Sequence, residues 1–272
     1  MEVEYTYLNI GGYCIKADLD MFTPHALAFK SFVCDKKDSD FELEVVFDNN
    51  GITIEGDKVV DVTEDGYKIE LKNQNVLSAS KDWRKWSIYA GKKNDRIDHV
   101  IYYELKKPFS YAILPYGGVV FHGVVLEWNG KGIILCAESG GGKTTHARMW
   151  RDYENALVIN GDRALCRKVE GVWHAFGQPW CGTSGECVNR KIKIDVFVML
   201  KKSMQNRVTR LNPYDAFLNL AEHVFAPKWN AELMNYALDY IDDMVTNIPM
   251  LKLECVKDYT AVETLKKAIL DL

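Results

Sequence analysis

The pattern of apolar and polar positions divides the chain into a strand-rich first part, a central strand, loop and helix unit, and a helical end. In residues 41–47 and 67–71, apolar side chains alternate with polar ones, which is the period of a half-buried strand. Turn-forming Asp, Asn and Gly residues separate such runs. We therefore predict a β-rich region over residues 1–110 and a second domain over residues 111–272.

The first region carries no catalytic motif. Trp83, Arg84 and Trp86 lie close together and suit a recognition surface, but two tryptophans near a strand more often pack in a core. We predict packing for both tryptophans and leave the alternative open.

Two apolar runs flank Asn129-Gly130 at the start of the second domain. Asn-Gly is the strongest short signal for a β-hairpin with a type I′ turn. Such a turn pairs Trp128 with Lys131 and, continued outward, places His122 opposite Ala137. Directly paired residues lie about 5 Å apart, so the register predicts that His122 lies close to whatever follows the second strand.

A glycine-rich segment follows that second strand and precedes a helix over residues 144–152. Successive glycines let backbone N–H groups point at an anion, and the helix start adds its positive dipole end. The pattern predicts a phosphate-binding loop, with Ala137 where the motif has its first glycine, which is tolerated if φ there stays negative. A plain glycine-rich turn is the alternative. The residues predicted to bind nucleotide are Ser139, Gly140, Gly141, Gly142, Lys143, Thr144 and Thr145.

Within this loop, Lys143 is expected to reach the β- and γ-phosphates, and Thr144 to hold a Mg²⁺ ion through its hydroxyl. His122, opposite the loop, is predicted to carry a proton or to donate a hydrogen bond to the transferred group.

A buried strand over residues 156–159 ends in Asn160-Gly161-Asp162-Arg163. Ligands gather at the carboxyl ends of strands in such units. Asp162 is therefore predicted to hold Mg²⁺ or to accept a proton from an attacking hydroxyl. The alternative is an Asp that only forms a turn, and Arg163 receives no role.

Residues 122–126, the glycine-rich loop and the strand end at Asp162 together resemble the core of the HPr kinase/phosphorylase family. The loop is similar as well to that of the ATP-dependent phosphoenolpyruvate carboxykinases. The resemblance covers about residues 115–200. It implies an α/β fold whose nucleotide-binding core has a mixed β-sheet, here preceded by a β-rich N-terminal region and followed by C-terminal helices.

The resemblance also implies roles for individual residues. His122 matches the family's active-site histidine, and Gly140, Gly142, Lys143 and Thr144 match its nucleotide and metal contacts.

Asp162 matches the second of two adjacent acidic residues in that family, and Gly161 stands in place of the first. An arginine that stabilises the phosphoryl group follows the family's mobile loop, and Arg190 is the candidate for it here. Related members share a Gly-x-Pro-Trp-x-Gly pattern, seen at residues 177–182, to which we assign no mechanism.

The remaining segments are predicted from local signals. Residues 173–186 read as a loop over the site, with glycines and aromatic anchors. Residues 212–272 turn helical, with an edge strand at residues 251–255 and a capping box at Thr260 and Glu263 that opens the final helix. His223 is predicted to be a packing residue.

Composition excludes several classes. The chain has 272 residues, a net charge of −4 and a pI near 5.9, which argues against nucleic acid or an acidic membrane as partner. No secretion signal and no membrane-spanning run is evident. The seven cysteines form no Cys-x-x-Cys pair. We expect a cytoplasmic protein with reduced thiols and without a zinc site.

The sequence thus predicts an ATP- and Mg²⁺-dependent kinase with catalytic residues His122, Asp162 and Arg190, and with Thr144 and Asp162 at the metal. The resemblance favours a serine of a small protein or peptide as acceptor, and a small-molecule alcohol is the second choice. A regulatory or scaffold protein that binds ATP without transferring phosphate is the rival from another class. The resemblance also implies homo-oligomers.

Overall fold

The computed structural model describes residues 5–18, 25–46, 60–71, 75–89, 102 and 105–272. The chain forms two compact units, residues 1–113 and 114–272. Each unit has its own β-sheet with both parallel and antiparallel pairs, and helices accompany the strands. The chain is therefore an α/β protein with mixed sheets, as the sequence predicted.

The first unit contains a seven-stranded sheet in the order β1-β2-β3-β7-β6-β5-β4. The β2–β3 and β3–β7 pairs are parallel and the others are antiparallel. A 3₁₀ helix (His25–Phe32) and helix α1 (Lys106–Ala112) belong to the same unit. The strands are β1 (Thr6–Ile10), β2 (Tyr13–Ala17), β3 (Phe41–Val46), β4 (Val60–Val62), β5 (Gly66–Glu70), β6 (Val76–Ser80) and β7 (Lys85–Tyr89).

Strands β3 and β5 confirm the strands predicted from alternation, and in β3 every second side chain is buried. Residue 47 and the predicted turn after it, residues 48–51, lie outside the described residues. Trp83 and Trp86 are buried. Trp83 stacks on Tyr67 and Trp86 on Phe41, with ring centroids 4.8 and 5.3 Å apart. The prediction that both tryptophans pack in the core is confirmed.

The second unit contains an eight-stranded mixed sheet. Four helices accompany it: α2 (Lys143–Glu154), α3 (Pro213–His223), α4 (Ala231–Asn247) and α5 (Thr260–Leu270). The strands are β8 (Gly118–Trp128), β9 (Lys131–Cys136), β10 (Leu157–Asn160), β11 (Arg163–Val169), β12 (Val172–Phe176), β13 (Lys191–Lys202), β14 (Arg207–Arg210) and β15 (Met250–Cys255).

The long strands β8 and β13 change neighbours along their length. The first half of β8 pairs with β11, and its second half pairs with β9 and β10. Strand β13 pairs first with β12 and then with β9 and β15. Because β11 also pairs with β12, five strands (β8, β11, β12, β13 and β9) close a ring. Strands β9 and β13 are parallel, so their carboxyl ends meet at one edge.

The β8–β9 hairpin has the predicted turn. Asn129 and Gly130 both have positive φ angles, +49° and +75°, as a type I′ turn requires. Trp128 pairs with Lys131, which confirms the predicted register near the turn.

The predicted register holds along the whole ladder, but the ladder ends one pair earlier than predicted. The β8–β9 ladder stops at Gly123 and Cys136, so His122 does not pair with Ala137. His122 pairs instead with Arg163, the first residue of β11. The ladder stops there because β8 exchanges β9 for β11 as its neighbour at this point.

Three further predictions for this unit are wrong. Strand β15 is not an edge strand, because it lies between β13 and β14. Residues 173–176 are part of β12 rather than of a loop. No side-chain capping bond of Thr260 with Glu263 opens α5, since Asp258 accepts the N–H of Thr260 at 2.9 Å. The start of α3 is as predicted, with the Asn212 side chain accepting the N–H of Asp215.

Helices α2 and α5 pack on the apolar core beside β9 and β13. The buried residues of α2 are Lys143, His146, Ala147 and Trp150, the i, i+3, i+4, i+7 spacing of one helix face. Trp150 meets Trp128 edge to face with ring centroids 5.2 Å apart.

Glu154, the last residue of α2, ties this helix to α5. Its carboxylate accepts hydrogen bonds from Lys266, at 2.8 and 2.9 Å, and from the hydroxyl of Tyr259. The bond from Lys266 and then that from Tyr259 lower the pKa of Glu154 from its ordinary 4.5. A carboxyl group with a lowered pKa stabilises the fold above its unfolded-state pKa, and this stabilisation is lost as the pH falls through the folded-state value.

We predict that Glu154→Gln lowers the free energy of unfolding at pH 7 by about 1 kcal/mol, since it removes a charged hydrogen-bond acceptor that solvent partly screens. The difference from the wild type should shrink as the pH falls below 4.5 and the wild-type carboxylate takes up its proton. Urea unfolding at several pH values measures this. The exposed residue Glu170 supplies the control, Glu170→Gln, and a constant difference across pH would contradict the prediction.

Candidate functional site

The glycine-rich segment connects β9 to α2 in a curled loop. Gly140 and Gly142 have φ angles of +72° and +101°, which side chains rarely adopt. Gly142 immediately precedes α2, so the loop opens directly into the positive end of that helix. A backbone curled in this way at a helix start can present N–H groups to an anion.

Ala137 fits where the motif has glycine. It is not among the non-glycine residues with positive φ. A Cβ built on Gly141 would lie 2.7 Å from the Cβ of Ala137, which is closer than two non-bonded carbon atoms can approach. Because Gly141 has no side chain, the loop has room for the methyl group of Ala137.

Lys143 lies inside the loop. Its side chain is buried, and its ammonium donates to the carbonyl oxygens of Ala137 at 2.8 Å and Glu138 at 3.4 Å. Burial lowers its pKa, and the nearby Cys136 and Asp162 partly offset that effect. The ammonium is therefore held by neutral carbonyl groups, which an anionic ligand can replace as the stronger partner.

His122 and Asp162 lie together beside this loop. The Nε2 atom of His122 is 3.5 Å from Oδ1 of Asp162, and about a third of each side chain is exposed. Asp162 is close enough to Lys143 to influence its pKa. The structure therefore brings together three of the residues predicted from sequence, Lys143, His122 and Asp162.

A buried amide fixes the turn that carries Asp162. The side-chain oxygen of Asn160 accepts the N–H groups of Asp162 at 3.1 Å and of Arg163 at 2.8 Å. Its side-chain nitrogen donates to the carbonyl oxygens of Gln178 and Trp180. Asn160 is fully buried. Its place directly before Gly161 and Asp162 is the only sequence signal for this role.

The Gly-x-Pro-Trp-x-Gly pattern at residues 177–182 supports the same turn. Besides receiving the Asn160 amide, Gln178 donates from Nε2 to the carbonyl of Arg163 at 3.0 Å. Gly182 has φ +64°, and a Cβ there would lie 2.8 Å from the Cβ of Asp162. A Cβ on Gly177 would lie 1.8 Å from the carbonyl oxygen of Val188. Gly182 is thus needed for close packing against Asp162, and Gly177 for close packing against Val188.

Gly161 occupies the position of the acidic residue that the resemblance led us to look for. A Cβ on Gly161 would lie 1.9 Å from Oγ of Ser184, so the side chain of Ser184 fills that space. Ser184 is held there by a 2.8 Å bond to the carbonyl of Cys181. The structure leaves one carboxylate, Asp162, at this point of the site.

Arg190 pairs with a carboxylate of β8. Its guanidinium forms a two-point ion pair with Glu127, with N–O distances of 2.5 and 2.6 Å. Glu127 lies five residues beyond His122 on β8, which is roughly 16 Å along an extended strand. The expectation that Arg190 contacts the phosphoryl group is therefore not supported.

Arg163 is the buried cation beside Asp162. It is 4% exposed, its Nε lies 4.0 Å from Oδ2 of Asp162, and its guanidinium carbon lies 3.8 Å from the ring centre of Phe225. The sequence analysis left this residue without a role.

A family model matches residues 90–269, and its description is "SynChlorMet cassette protein ScmC". This match spans well over half of the chain.

The chain belongs to the ScmC family. No curated protein matches it. Among solved structures, the Hpr(Ser) kinase/phosphatase from Coxiella burnetii is similar at 8% sequence identity and a TM-score of 0.33, and the match covers 56% of this chain and 93% of that one.

Two clefts of this ScmC-family chain adjoin the loop. The α3 cleft, of about 690 Å³, lies between the loop, the end of β13 and helix α3. Charged side chains line it, among them Lys201, Lys252, Asp215 and Glu222. The α2 cavity, of about 420 Å³, lies between the loop glycines, α2 and the residues at and just after the carboxyl ends of β13 and β15.

Each cleft is lined by a histidine. His223 lines the α3 cleft; its Nδ1 lies 2.7 Å from the carbonyl of Asn219. His146 lines the α2 cavity and is 2% exposed. Neither nitrogen of His146, nor Nε2 of His223, has a hydrogen-bond partner within the part of the chain that the structure describes. His223 had been predicted to pack, and no sequence signal pointed to His146.

Two observations bear on membranes and metals. In the described part of the chain, no helix is both long enough and apolar enough to cross a bilayer. The same residues contain no group of three or more His, Cys, Asp or Glu side chains arranged to hold a metal ion.

We predict that Gly161→Asp does not build a second carboxylate into this ScmC-family site but destabilises the protein, because Ser184 occupies the space. The expected loss is about 2 kcal/mol or more in urea unfolding. The double variant Gly161→Asp with Ser184→Gly should recover part of it, since it removes both overlapping atoms. Full stability in the Gly161→Asp single variant would contradict this account.

Proposed function

We propose that the protein is an ATP-dependent kinase that transfers the γ-phosphoryl group to a hydroxyl acceptor. One observation carries the proposal: a curled glycine loop with an inward lysine lies beside a histidine–carboxylate pair. A loop alone would support nucleotide binding only. The pair of His122 and Asp162 adds the acid–base group that transfer to a hydroxyl needs.

The loop binds the triphosphate in this scheme. The N–H of Gly141 donates to the carbonyl of Glu138 at 2.9 Å. Other backbone N–H groups of the loop and the start of α2 would face the phosphate oxygens. Lys143 exchanges its contacts with the Ala137 and Glu138 carbonyls for the β- and γ-phosphates. The same exchange relieves the burial of an ammonium among neutral groups.

Thr144 and Asp162 would hold Mg²⁺, which neutralises charge between the β- and γ-phosphates when bound. Mg²⁺ typically takes one or two carboxylates together with phosphate oxygens and water. One carboxylate and one hydroxyl therefore fit a Mg²⁺ ion that arrives with the nucleotide, and they do not fit a metal held by protein alone.

Asp162 or His122 takes the proton of the acceptor hydroxyl. Their 3.5 Å separation lets either group orient the other. The Asn160 amide and the loop at residues 177–182 hold Asp162 in one position. We assign the charge-balancing role to Arg163 instead of Arg190, because Arg163 is already buried next to Asp162.

A serine in a small protein or peptide is the proposed acceptor. The resemblance to HPr kinase/phosphorylase favours it, and the open α3 cleft beside the loop offers room for a chain segment. The family description as a cassette protein points to the products of neighbouring genes as the first acceptors to test. A small-molecule alcohol is the second choice.

One observation favours a different class. Ser184 fills the space of the first acidic residue, so the site has a single carboxylate there. A protein that binds ATP to order its loops, without phosphoryl transfer, would need no more than the loop and Lys143.

The first test compares nucleotide binding. Lys143→Met should weaken the binding of Mg-ATP at least 100-fold in calorimetry, because it removes the buried cation of the loop. Arg148→Met, an exposed cation on the same helix, is the control and should bind as the wild type does. Equal affinities for the Lys143→Met variant and the wild type would contradict the assignment of the loop.

The second test follows transfer of label from γ-labelled ATP to peptides encoded beside the gene and to small alcohols. Asp162→Asn should reduce transfer by about 10²- to 10⁴-fold, the usual contribution of a positioned acid–base group, while ATP binding persists. The exposed Asp152, changed to Asn, is the control. Tight ATP binding by the wild type, with no label on any acceptor, would favour the non-catalytic alternative.

A further inference from the structure

The α2 cavity has the walls of a pocket for a flat, largely apolar group. Apolar side chains from three segments line it: Met149 of α2, Leu200 of β13, and Cys255 with Val256 at the end of β15. Two cationic side chains, Lys202 and Lys257, line it as well. Its volume of about 420 Å³ lies within the range of small-molecule sites. Methionine adapts its shape readily to a planar ring.

A buried polar side chain, His146, also lines the cavity. His146 is 2% exposed and both of its ring nitrogens lack a hydrogen bond among the described residues. Buried polar groups in folded proteins are almost always hydrogen-bonded, so an orphaned imidazole needs an explanation. Burial lowers its pKa to about 4, so the ring is neutral near pH 7 and offers one donor and one acceptor.

The cavity opens on the phosphate loop. Gly140, Gly141, Gly142 and Thr145 contribute to its lining. The loop is therefore shared between this cavity and the α3 cleft, which is lined by residues 136–141. When a nucleoside triphosphate is bound in the loop, its γ-phosphate extends to one side and its ribose and base extend to another.

We propose that the α2 cavity holds the nucleoside half of ATP, and that His146 hydrogen-bonds the base or ribose. The proposal rests on the proposed function, since it requires a triphosphate in the loop. The γ-phosphate then faces His122 and Asp162. The α3 cleft is left for the acceptor, because its charged walls suit a polar chain better than a purine base.

The experiment separates the two halves of the ligand. Calorimetry in the presence of Mg²⁺ measures the affinity of the full chain for ATP and for inorganic tripolyphosphate, which has the phosphates without a nucleoside. His146→Leu should weaken ATP binding about tenfold or more and leave tripolyphosphate binding unchanged. His146→Gln, which keeps a donor and an acceptor, should recover much of the loss.

A second variant tests the cavity without relying on the histidine. Val256→Trp fills the space with an aromatic ring, so it should reduce ATP binding at least tenfold and spare tripolyphosphate. Val172→Trp, at an exposed position at the start of β12, is the matched control. Thermal unfolding of each variant shows that the fold persists, and His146→Leu should not lower the midpoint, since it removes an unsatisfied polar group.

The outcomes are distinct. Loss of ATP affinity alone in the His146→Leu and Val256→Trp variants supports the nucleoside site. Unchanged ATP affinity, or equal loss for both ligands in these two variants, overturns it while the phosphate loop assignment stands. A wild-type protein that binds neither ATP nor tripolyphosphate overturns the proposed function and this inference with it.

Discussion

The hydrogen bonds of one buried amide determine where the carboxylate of the site lies. The side chain of Asn160 accepts hydrogen bonds from two backbone N–H groups of the turn that follows β10. It donates two hydrogen bonds to carbonyl groups of the segment at residues 177–182. Removing one partner of a buried amide leaves the other groups unsatisfied, which costs more than the bonds themselves contribute. Asp162 therefore keeps its position because its neighbours in the chain are fixed.

Two glycines of this site make room for the side chains of neighbouring residues. The methyl group of Ala137 is accommodated by the missing side chain of Gly141, and the hydroxymethyl group of Ser184 is accommodated by that of Gly161. At Ala137 and at Gly161 the chain has a different residue from the one that the motif or the related family has, and a neighbouring residue of matching size compensates. The first exchange leaves the loop geometry intact. The second removes a carboxylate, which is why the ability to bind a nucleotide and the ability to transfer a phosphoryl group are separate questions for this protein.

The sequence predicted the parts of the site that depend on local pattern. The loop, the hairpin turn and the strand end with Asp162 follow from residues that are neighbours in the chain. Contacts between distant segments could not be predicted in this way. Arg190 pairs with Glu127 on another strand, which its place in the chain does not indicate. Strand β15 was read as an edge strand because the order of strands in a sheet is not a local property. The burial of His146 depends on segments more than fifty residues away.

Gly123 joins the two halves of the site. Its N–H donates to the carbonyl of Asp162 at 3.0 Å, and it pairs across the hairpin with Cys136, the last residue before the loop. A side chain at Gly123 would press on Ile134 and Cys136 at 3.1 to 3.2 Å. Because Gly123 has no side chain, β8 and β9 can approach each other closely at this pair. Even a methyl group there would press on β9 and so disturb the spacing between the glycine-rich loop and the turn that carries Asp162.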